Sequence, residues 1–188
     1  PSSRAISLSL SLASNTPSTT PPGIITDSGA VLPAALEARA RGVNFDVGHG
    51  AGSFGFKVAE AAMSHGFNPA TISSDVHRYN VRGPVFDLAT TLSKFMHLGM
   101  SLDDVIRLGT EAPATAIRRE DIVGSLKEGA VADVSIFDLR EGPVEFKDAR
   151  GDVRNGNHLL VPIETVRAGR RFSPFHGDHH DHSHPPGF

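Results

Sequence analysis

The stretch GVNFDVGHGAGSFGFKVAEAAMSHGFNPATISSDVH, residues 42–77, decides the fold of this chain. It begins with a short apolar-rich run, 43–47, that predicts a strand, and the glycines on both sides of His49 allow a tight turn after it. The next segment predicts a helix that ends near Gly66, because side chains recur on one helical face at Phe54, Val58, Ala61, Ala62 and His65. A β-favouring run, 71–74, follows. The stretch therefore predicts a βαβ unit.

Each predicted strand of this unit ends close to a side chain that can take part in chemistry. His49 follows the first strand, and Asp75 stands at the carboxyl edge of the second. In parallel α/β folds, and above all in (β/α)₈ barrels, the carboxyl ends of the strands form the reactive face. We therefore expect His49 and Asp75 to open onto the same face.

Several separate motifs of this chain occur in the order found in one group of enzymes. They are FDVGHGAGSFGF at 45–56, TISSDVH at 71–77, FDLATTLSKFMHLGMSLDDVIRLGTEAPATAI at 86–117, GSLKEGAVADVSIFDL at 124–139 and TVRAGR at 165–170. In these motifs, which cover roughly residues 23–170, the chain resembles the C-terminal half of amidohydrolase-superfamily metallohydrolases. Within that superfamily it is most similar to the dihydroorotase-like amidohydrolase/deacetylase family.

The resemblance implies a fold and a metal site. The expected fold class is α/β, the C-terminal part of a metal-dependent (β/α)₈ barrel with a small β-sandwich unit. The metal ligands of such enzymes are a His-x-His after the first strand, a lysine that is often carboxylated, two further histidines and an aspartate after the eighth strand. Only the aspartate has a counterpart here, Asp75. The resemblance thus implies a divalent metal, with Zn²⁺ the expected ion.

Length and composition limit the classes of function. The chain has 188 residues, whereas a complete (β/α)₈ barrel usually needs about 250, which predicts an incomplete barrel. Its net charge of −3 gives no support for a nucleic acid or an anionic membrane as partner. The absence of cysteine excludes thiolate metal ligands and is typical of a cytoplasmic protein. The expected partners are a small-molecule substrate and, at the open edge of a partial sheet, further copies in a homo-oligomer.

Changes in composition divide the chain into four parts. They are a Ser/Thr/Pro-rich segment at 1–23, a portion of the barrel at 24–118, a small β-sandwich part at 119–172 and a disordered His-rich tail at 173–188. Within the barrel portion we expect helices at 34–41, at 85–98 and after Ser101. Within the third part, 130–139 and 165–170 are β-rich, and 151–157 predicts a turn between them.

The first segment allows several interpretations. Ile6, Leu8, Leu10 and Leu12 alternate with serines, which predicts a half-buried strand. A secretory signal is a weaker alternative, because Arg4 is the only positive charge and every second residue of the apolar run is polar. The resemblance adds a third hypothesis, truncation or a shifted reading frame upstream of about Gly23, because the segment contains no histidine ligand.

Asp75 is the leading site candidate. A carboxylate at a strand end can bind a divalent metal and can carry a proton from the metal-bound water to the leaving group. The alternative is a turn or cap aspartate, which is the commoner fate of this residue type after a short strand. The resemblance favours the first interpretation, in which Asp75 is both a metal ligand and the catalytic proton carrier.

His49 and Gly50 are the candidates for substrate binding. His49 lies between two glycines, so we expect an accessible imidazole and a backbone that a ligand can approach closely. The alternative for His49 is a hydrogen bond to a neighbouring loop. We expect Asp46 to be structural. The glycine pattern at Gly48, Gly50 and Gly52 lacks the further glycine and acidic partner of a dinucleotide site.

The remaining histidines predict no second site in the barrel portion. His77 could in principle bind a metal together with Asp75, but the resemblance gives it no ligand role and the polarity of a loop explains it. We expect structural positions for His65, His97 and His158. The tail offers a flexible metal-binding alternative through His176, His179, His180, His182 and His184, with Asp178 and Asp181. Its simpler interpretation is a solvated extension that binds metal adventitiously.

The sequence therefore leads to two hypotheses. The first is a metal-dependent hydrolase of amide, cyclic amide or ester bonds, in which Asp75 carries a proton during attack on the carbonyl. The second is a non-catalytic fragment or a metal-binding module that uses the His-rich tail, because one carboxylate does not hold a catalytic zinc.

Overall fold

The computed structural model describes residues 8–9 and 23–173. These residues form two sheets of three strands each. The first sheet is parallel and contains, in spatial order, β1 (Leu8–Ser9), β2 (Phe45–Gly48) and β3 (Thr71–Ser73). The second is antiparallel and contains β4 (Val134–Lys147), β5 (Val153–Arg167) and β6 (Arg170–Phe172). The helices between them are α1 (Pro33–Ala40), α2 (Phe56–Ser64), α3 (Leu88–His97), α4 (Leu102–Gly109) and α5 (Glu111–Ala116).

The predicted βαβ unit is confirmed as β2, α2 and β3, with β2 and β3 parallel and adjacent. Helix α2 starts later than predicted. Phe54 precedes it, because the Phe54 amide donates to the His49 carbonyl in the intervening turn. Its buried residues are therefore Phe56, Ala59 and Ala62. Gly66 ends the segment with φ of +70°, as its position predicted.

The helix signals in the sequence are largely confirmed. Pro33 is the first residue of α1, where its missing N–H costs nothing. Ser101 caps α4 and accepts from the Asp104 amide at 3.1 Å. Helix α3 begins at Leu88, later than the predicted residue 85, because Asp87 caps it and accepts from the Thr90 amide at 2.6 Å. Two predicted helices thus follow β3, with the short α5 after them.

The antiparallel sheet corrects two boundaries. The predicted strand at 130–139 is β4, which begins at Val134 and runs on to Lys147. The turn predicted at 151–157 is shorter, because Asp148 accepts from the Arg150 and Asp152 amides at 2.8 and 2.9 Å and reverses the chain within a few residues. Residues 153–157 are then free to pair with β4. In the described residues this unit is one sheet, and the β-sandwich stays a prediction.

One hydrophobic core joins both sheets. It includes Phe45 and Val47 of β2, Phe95 of α3, and Phe146 and Leu160 of the antiparallel sheet. Helix α3 lies against β5, where the Ser93 hydroxyl accepts from the Leu160 amide at 2.9 Å. The antiparallel hairpin is therefore fixed next to the carboxyl ends of β2 and β3.

Several predictions fall partly or wholly outside the described residues. Of the strand predicted in the first segment, Leu8–Ser9 pairs with β2 and the rest lies outside. The His-rich tail after residue 173 also lies outside. The four-part division of the chain stays a prediction. Among the described helices, none is long and apolar enough to cross a membrane.

Candidate functional site

Asp75 follows the carboxyl end of β3 and its side chain is exposed. Its φ of 48° lies in the left-handed region, which aspartate tolerates better than most residues. The loop that follows is held by the fully buried Asn80, whose side chain donates to the Asp75 carbonyl at 2.9 Å and accepts from the His77 amide at 2.7 Å. An exposed carboxylate on a well-bonded loop is available to a ligand without rearrangement.

Gly50 lies directly beneath this carboxylate. A Cβ at Gly50 would stand 2.7 Å from Asp75 Oδ2, which is closer than real contacts allow, and the Gly50 φ is +56°. The Gly50 amide donates to the Ser74 carbonyl at 3.1 Å. The structure thus brings the turn after β2 and the end of β3 together, as their shared edge predicted. The close approach at Gly50 is to Asp75, and the predicted role in substrate binding stays a prediction.

The prediction that the His49 imidazole is accessible is wrong, because its exposed fraction is 0%. The ring packs on Phe54, with 4.8 Å between centroids. Its Nδ1 lies 2.9 Å from the Gly50 carbonyl, and its Nε2 lies 2.7 Å from Lys94 Nζ. Burial and then the charge of Lys94 lower the pKa of His49 to about 4. His49 is therefore a neutral imidazole inside the fold, and its predicted substrate contact would need a rearrangement.

Sequence reasoning missed Lys94, a residue of α3 that is 1% exposed. Besides His49 Nε2, its ammonium contacts the carbonyls of Pro84 at 2.6 Å and Lys147 at 2.8 Å. Burial lowers the pKa of Lys94 to about 7, against the opposing effect of Asp148 and Asp87. A weak signal was present in the sequence. Its helix segment, LATTLSKFMH, otherwise carries no Lys, Arg, Asp or Glu, which is unusual for a helix with a solvated face.

Two other carboxylates near β2 and α2 have structural roles. Asp46 accepts from the hydroxyls of Thr71 and Ser73 at 2.6 and 2.5 Å, across the β2–β3 pair, in agreement with the structural role we expected. Asp148, which the sequence did not single out, is 1% exposed and accepts from the Phe56 amide at 2.9 Å. Both oxygens of each of these carboxylates accept hydrogen bonds within the fold, whereas the Asp75 side chain is exposed.

The other described histidines do not join Asp75. His77 is exposed, and its Nδ1 accepts from the Tyr79 amide at 3.2 Å. His65 caps the end of α2, with Nδ1 2.8 Å from the Ala61 carbonyl. His97 ends α3 beside the Phe56 and Phe146 rings, and His158 is exposed on β5. Within residues 23–173, no three His, Cys, Asp or Glu side chains are grouped so that they could hold a metal.

The sequence of this chain is similar to those of known proteins. The sequence profile of the amidohydrolase family matches residues 50–171. A deacetylase from Brucella anthropi is 43% identical over 125 residues, which are 66% of this chain and 31% of that protein. A deacetylase from Enterococcus faecalis is 37% identical over 137 residues, which are 72% of this chain and 37% of that protein. The chain therefore spans about a third of the length of these curated relatives.

Two solved structures are similar in fold and in sequence. A crystal structure of an adenine deaminase superposes with a TM-score of 0.76 and 34% identity, over 81% of this chain and 42% of that one. A crystal structure of a dihydroorotase superposes with a TM-score of 0.65 and 36% identity, over 74% of this chain and 37% of that one. Most of this chain is therefore similar in fold to a part of each of these two structures.

Proposed function

Because this chain belongs to the amidohydrolase family, we propose that it forms the C-terminal part of a metal-dependent (β/α)₈ barrel with a small β-sandwich unit, and that the enzyme hydrolyses amide, cyclic amide or ester bonds of small molecules. The observation that carries the proposal is the exposed Asp75 carboxylate at the carboxyl end of β3. This is the edge at which parallel α/β enzymes place their reactive groups. The names of the relatives, deacetylase and dihydroorotase, support a hydrolytic reaction.

The described residues offer a divalent metal one suitable ligand. Asp75 fits, because an exposed carboxylate that is not engaged in an ion pair in the structure is a ligand type that Zn²⁺ accepts. The other described His, Cys, Asp and Glu residues do not complete a group of three, and a catalytic zinc usually takes about three protein ligands. The remaining ligands would thus come from parts of the enzyme outside residues 23–173. A bound divalent metal would supply a water of lowered pKa.

In this proposal Asp75 has a second role, which is proton transfer. Its carboxylate would take a proton from the attacking water and deliver it to the leaving nitrogen or oxygen of the substrate. The exposed position gives both partners access, while Asn80 and Gly50 fix the backbone on either side. Gly50 and His49 would border the substrate through the turn after β2. A cytoplasmic location and a homo-oligomer are further parts of this proposal.

The test compares Asp75→Asn with Asp103→Asn, a change of an exposed aspartate in the first turn of α4. Hydrolysis of an N-acetyl amino acid and of a chromogenic acetyl ester is measured with added Zn²⁺ in the whole enzyme that supplies the remaining ligands. We expect Asp75→Asn to lower kcat by about 10² to 10⁴ while the protein still folds, and Asp103→Asn to leave kcat unchanged. Near wild-type kcat in Asp75→Asn would contradict the proton-carrying role.

A second measurement separates this proposal from a metal-binding tail. Residues 175–188 are deleted, and bound metal is measured by atomic spectroscopy before and after. In the whole enzyme, which supplies the other ligands, we expect metal at the Asp75 site to remain and hydrolysis to persist. If all metal leaves with the tail, this polypeptide binds metal only through its tail histidines and the hydrolase proposal fails.

A further inference from the structure

Lys94 joins three segments that surround the Asp75 edge. Its Nζ lies 2.7 Å from His49 Nε2 in the turn after β2, 2.6 Å from the Pro84 carbonyl in the loop after β3, and 2.8 Å from the Lys147 carbonyl at the end of β4. A lysine ammonium has three N–H donors, and each of the three segments supplies one acceptor. The buried ammonium is thereby fully hydrogen-bonded, which is the condition under which burial of a charge is tolerated.

The same contacts define the state of His49. Because Nε2 accepts from Lys94, the neutral ring carries its proton on Nδ1, which donates to the Gly50 carbonyl at 2.9 Å. The amides of His49 and Gly50 donate to the Ser73 and Ser74 carbonyls at 3.2 and 3.1 Å. The turn is therefore bonded to Lys94 on one side and to the end of β3 on the other.

The His49–Gly50 turn supports Asp75. The Asp75 carboxylate occupies the space beside Gly50 that a side chain would fill, since a Cβ built there would stand 2.7 Å from Oδ2. The Pro84 carbonyl belongs to the loop that begins at Asp75, so Lys94 holds this loop at its far end while Asn80 holds it near its start. Lys94 is buried and cannot touch a substrate.

We propose that Lys94 is a positioning residue for Asp75, which acts by fixing the His49–Gly50 turn and the Pro84 segment against the end of β4. His49 is then a relay between Lys94 and the Gly50 carbonyl and does not contact the substrate through its ring. The inference rests on the proposed function for its kinetic test, whereas its structural test is independent of activity.

The kinetic test compares Lys94→Met, His49→Leu, His49→Gln and the Lys94→Met/His49→Leu double variant in the whole enzyme with Zn²⁺. Because the effect passes through Asp75, Lys94→Met and His49→Leu should each lower kcat about 10²-fold, the loss typical of a small misplacement of a reacting group. KM should stay within about twofold of the wild-type value. The kcat of the double variant should be no lower than that of either single variant, since each substitution removes the same contact between Lys94 and His49. His49→Gln should retain most of kcat, because its amide oxygen can accept from Lys94.

Two kinetic results would overturn the inference. A rise in KM at unchanged kcat in His49→Leu would mean that the ring contacts the substrate directly. Losses that add fully in the double variant would mean that Lys94 and His49 act separately. Lys127→Met, a change of an exposed lysine in the loop before β4, is the matched control and should leave both constants unchanged.

The structural test follows the Asp75 carboxylate and the Gly50 amide by NMR in the full chain. His49→Leu and, where it folds, Lys94→Met should shift the Asp75 signal clearly more than His49→Gln does, whereas Lys127→Met should leave both signals unchanged. An unchanged Asp75 signal in His49→Leu would overturn the positioning role, with or without activity. If the wild-type whole enzyme shows no hydrolysis, the proposed function fails, and these spectra still decide the role of Lys94.

Discussion

At the scale of single residues, the candidate site depends on one close approach. Asp75 can occupy its position over the turn after β2 because Gly50 has no side chain, and the turn itself needs the positive φ of 56° found at Gly50. A glycine beside a histidine after a strand is a local feature of sequence. That its missing Cβ makes room for a carboxylate 25 residues later is a consequence of the parallel pairing of β2 and β3.

Gly50→Ala should therefore displace the Asp75 carboxylate. The new Cβ would meet Asp75 Oδ2 at 2.7 Å and would sit in a left-handed backbone conformation, so we expect a loss of about 1 to 3 kcal/mol in the free energy of unfolding and a fall in kcat. Urea unfolding and hydrolysis rates measure the two effects. Gly52→Ala is the matched control, because nothing lies within 4 Å of a Cβ at Gly52. Equal stability of the two variants would show that the contact is unimportant.

At the scale of elements, Asp148 connects the antiparallel sheet to the βαβ unit. It lies just after β4, and its carboxylate accepts from the Phe56 amide at the start of α2 and from the Arg150 and Asp152 amides in its own turn. Negative charge at a helix N-terminus is favourable, and the buried carboxylate satisfies amides that would otherwise lack acceptors. One side chain therefore closes the β4–β5 turn and orients α2.

Asp148→Ala should weaken this connection. Removing the carboxylate leaves the Phe56, Arg150 and Asp152 amides without their acceptor, so we expect the free energy of unfolding to fall by about 2 to 4 kcal/mol. The midpoint of urea denaturation, followed by circular dichroism, measures it. Asp138→Ala, a change of an exposed aspartate on β4, should cost under about 1 kcal/mol. A small, equal loss in both variants would contradict the role assigned to Asp148.

At the scale of the described molecule, one core unites the parallel and antiparallel sheets. Phe54, Phe95 and Phe146 come from the turn before α2, from α3 and from β4, and all belong to this core. His49 and Lys94 are buried at the same junction. The free energy of unfolding should thus depend on the protonation state of His49, which lies between the parallel and the antiparallel sheet.

Stability should fall on acidification because of His49. Its pKa is about 4 in the fold, against an ordinary value of 6.5, so between these values the unfolded chain binds a proton that the folded chain does not. The contribution of neutral His49 to the free energy of unfolding is complete above about pH 6.5. It is lost as the pH falls towards 4, and its maximum is about 3 kcal/mol. Urea denaturation at pH 7 and pH 4.5 measures the change. Between these two pH values the free energy of unfolding should fall less in His49→Gln than in the wild type. An identical fall would exclude His49 as the cause.

The sequence alone determined the βαβ unit, the starts of α1 and α4, and the family. Local signals were sufficient there: the glycine turns, Pro33 at the start of α1 and the Ser101 cap depend on neighbouring residues. The spacing around α2 predicted a helix but not its buried face, which shares only Ala62 with the predicted one. The motif order predicted the amidohydrolase resemblance, which the matching family profile confirms. Asp75 was assigned to the carboxyl edge of a strand, and it lies just beyond the end of β3.

Only the tertiary structure decided the surroundings of Asp75. Periodicity could not reveal that His49 is buried, that Lys94 reaches it from a helix 45 residues later, or that Asp148 caps α2 from 92 residues away. These positions follow from where α3 and the antiparallel sheet pack against the ends of β2 and β3. Burial of a polar side chain is set by long-range partners that offset its desolvation, and the neighbouring sequence does not identify those partners.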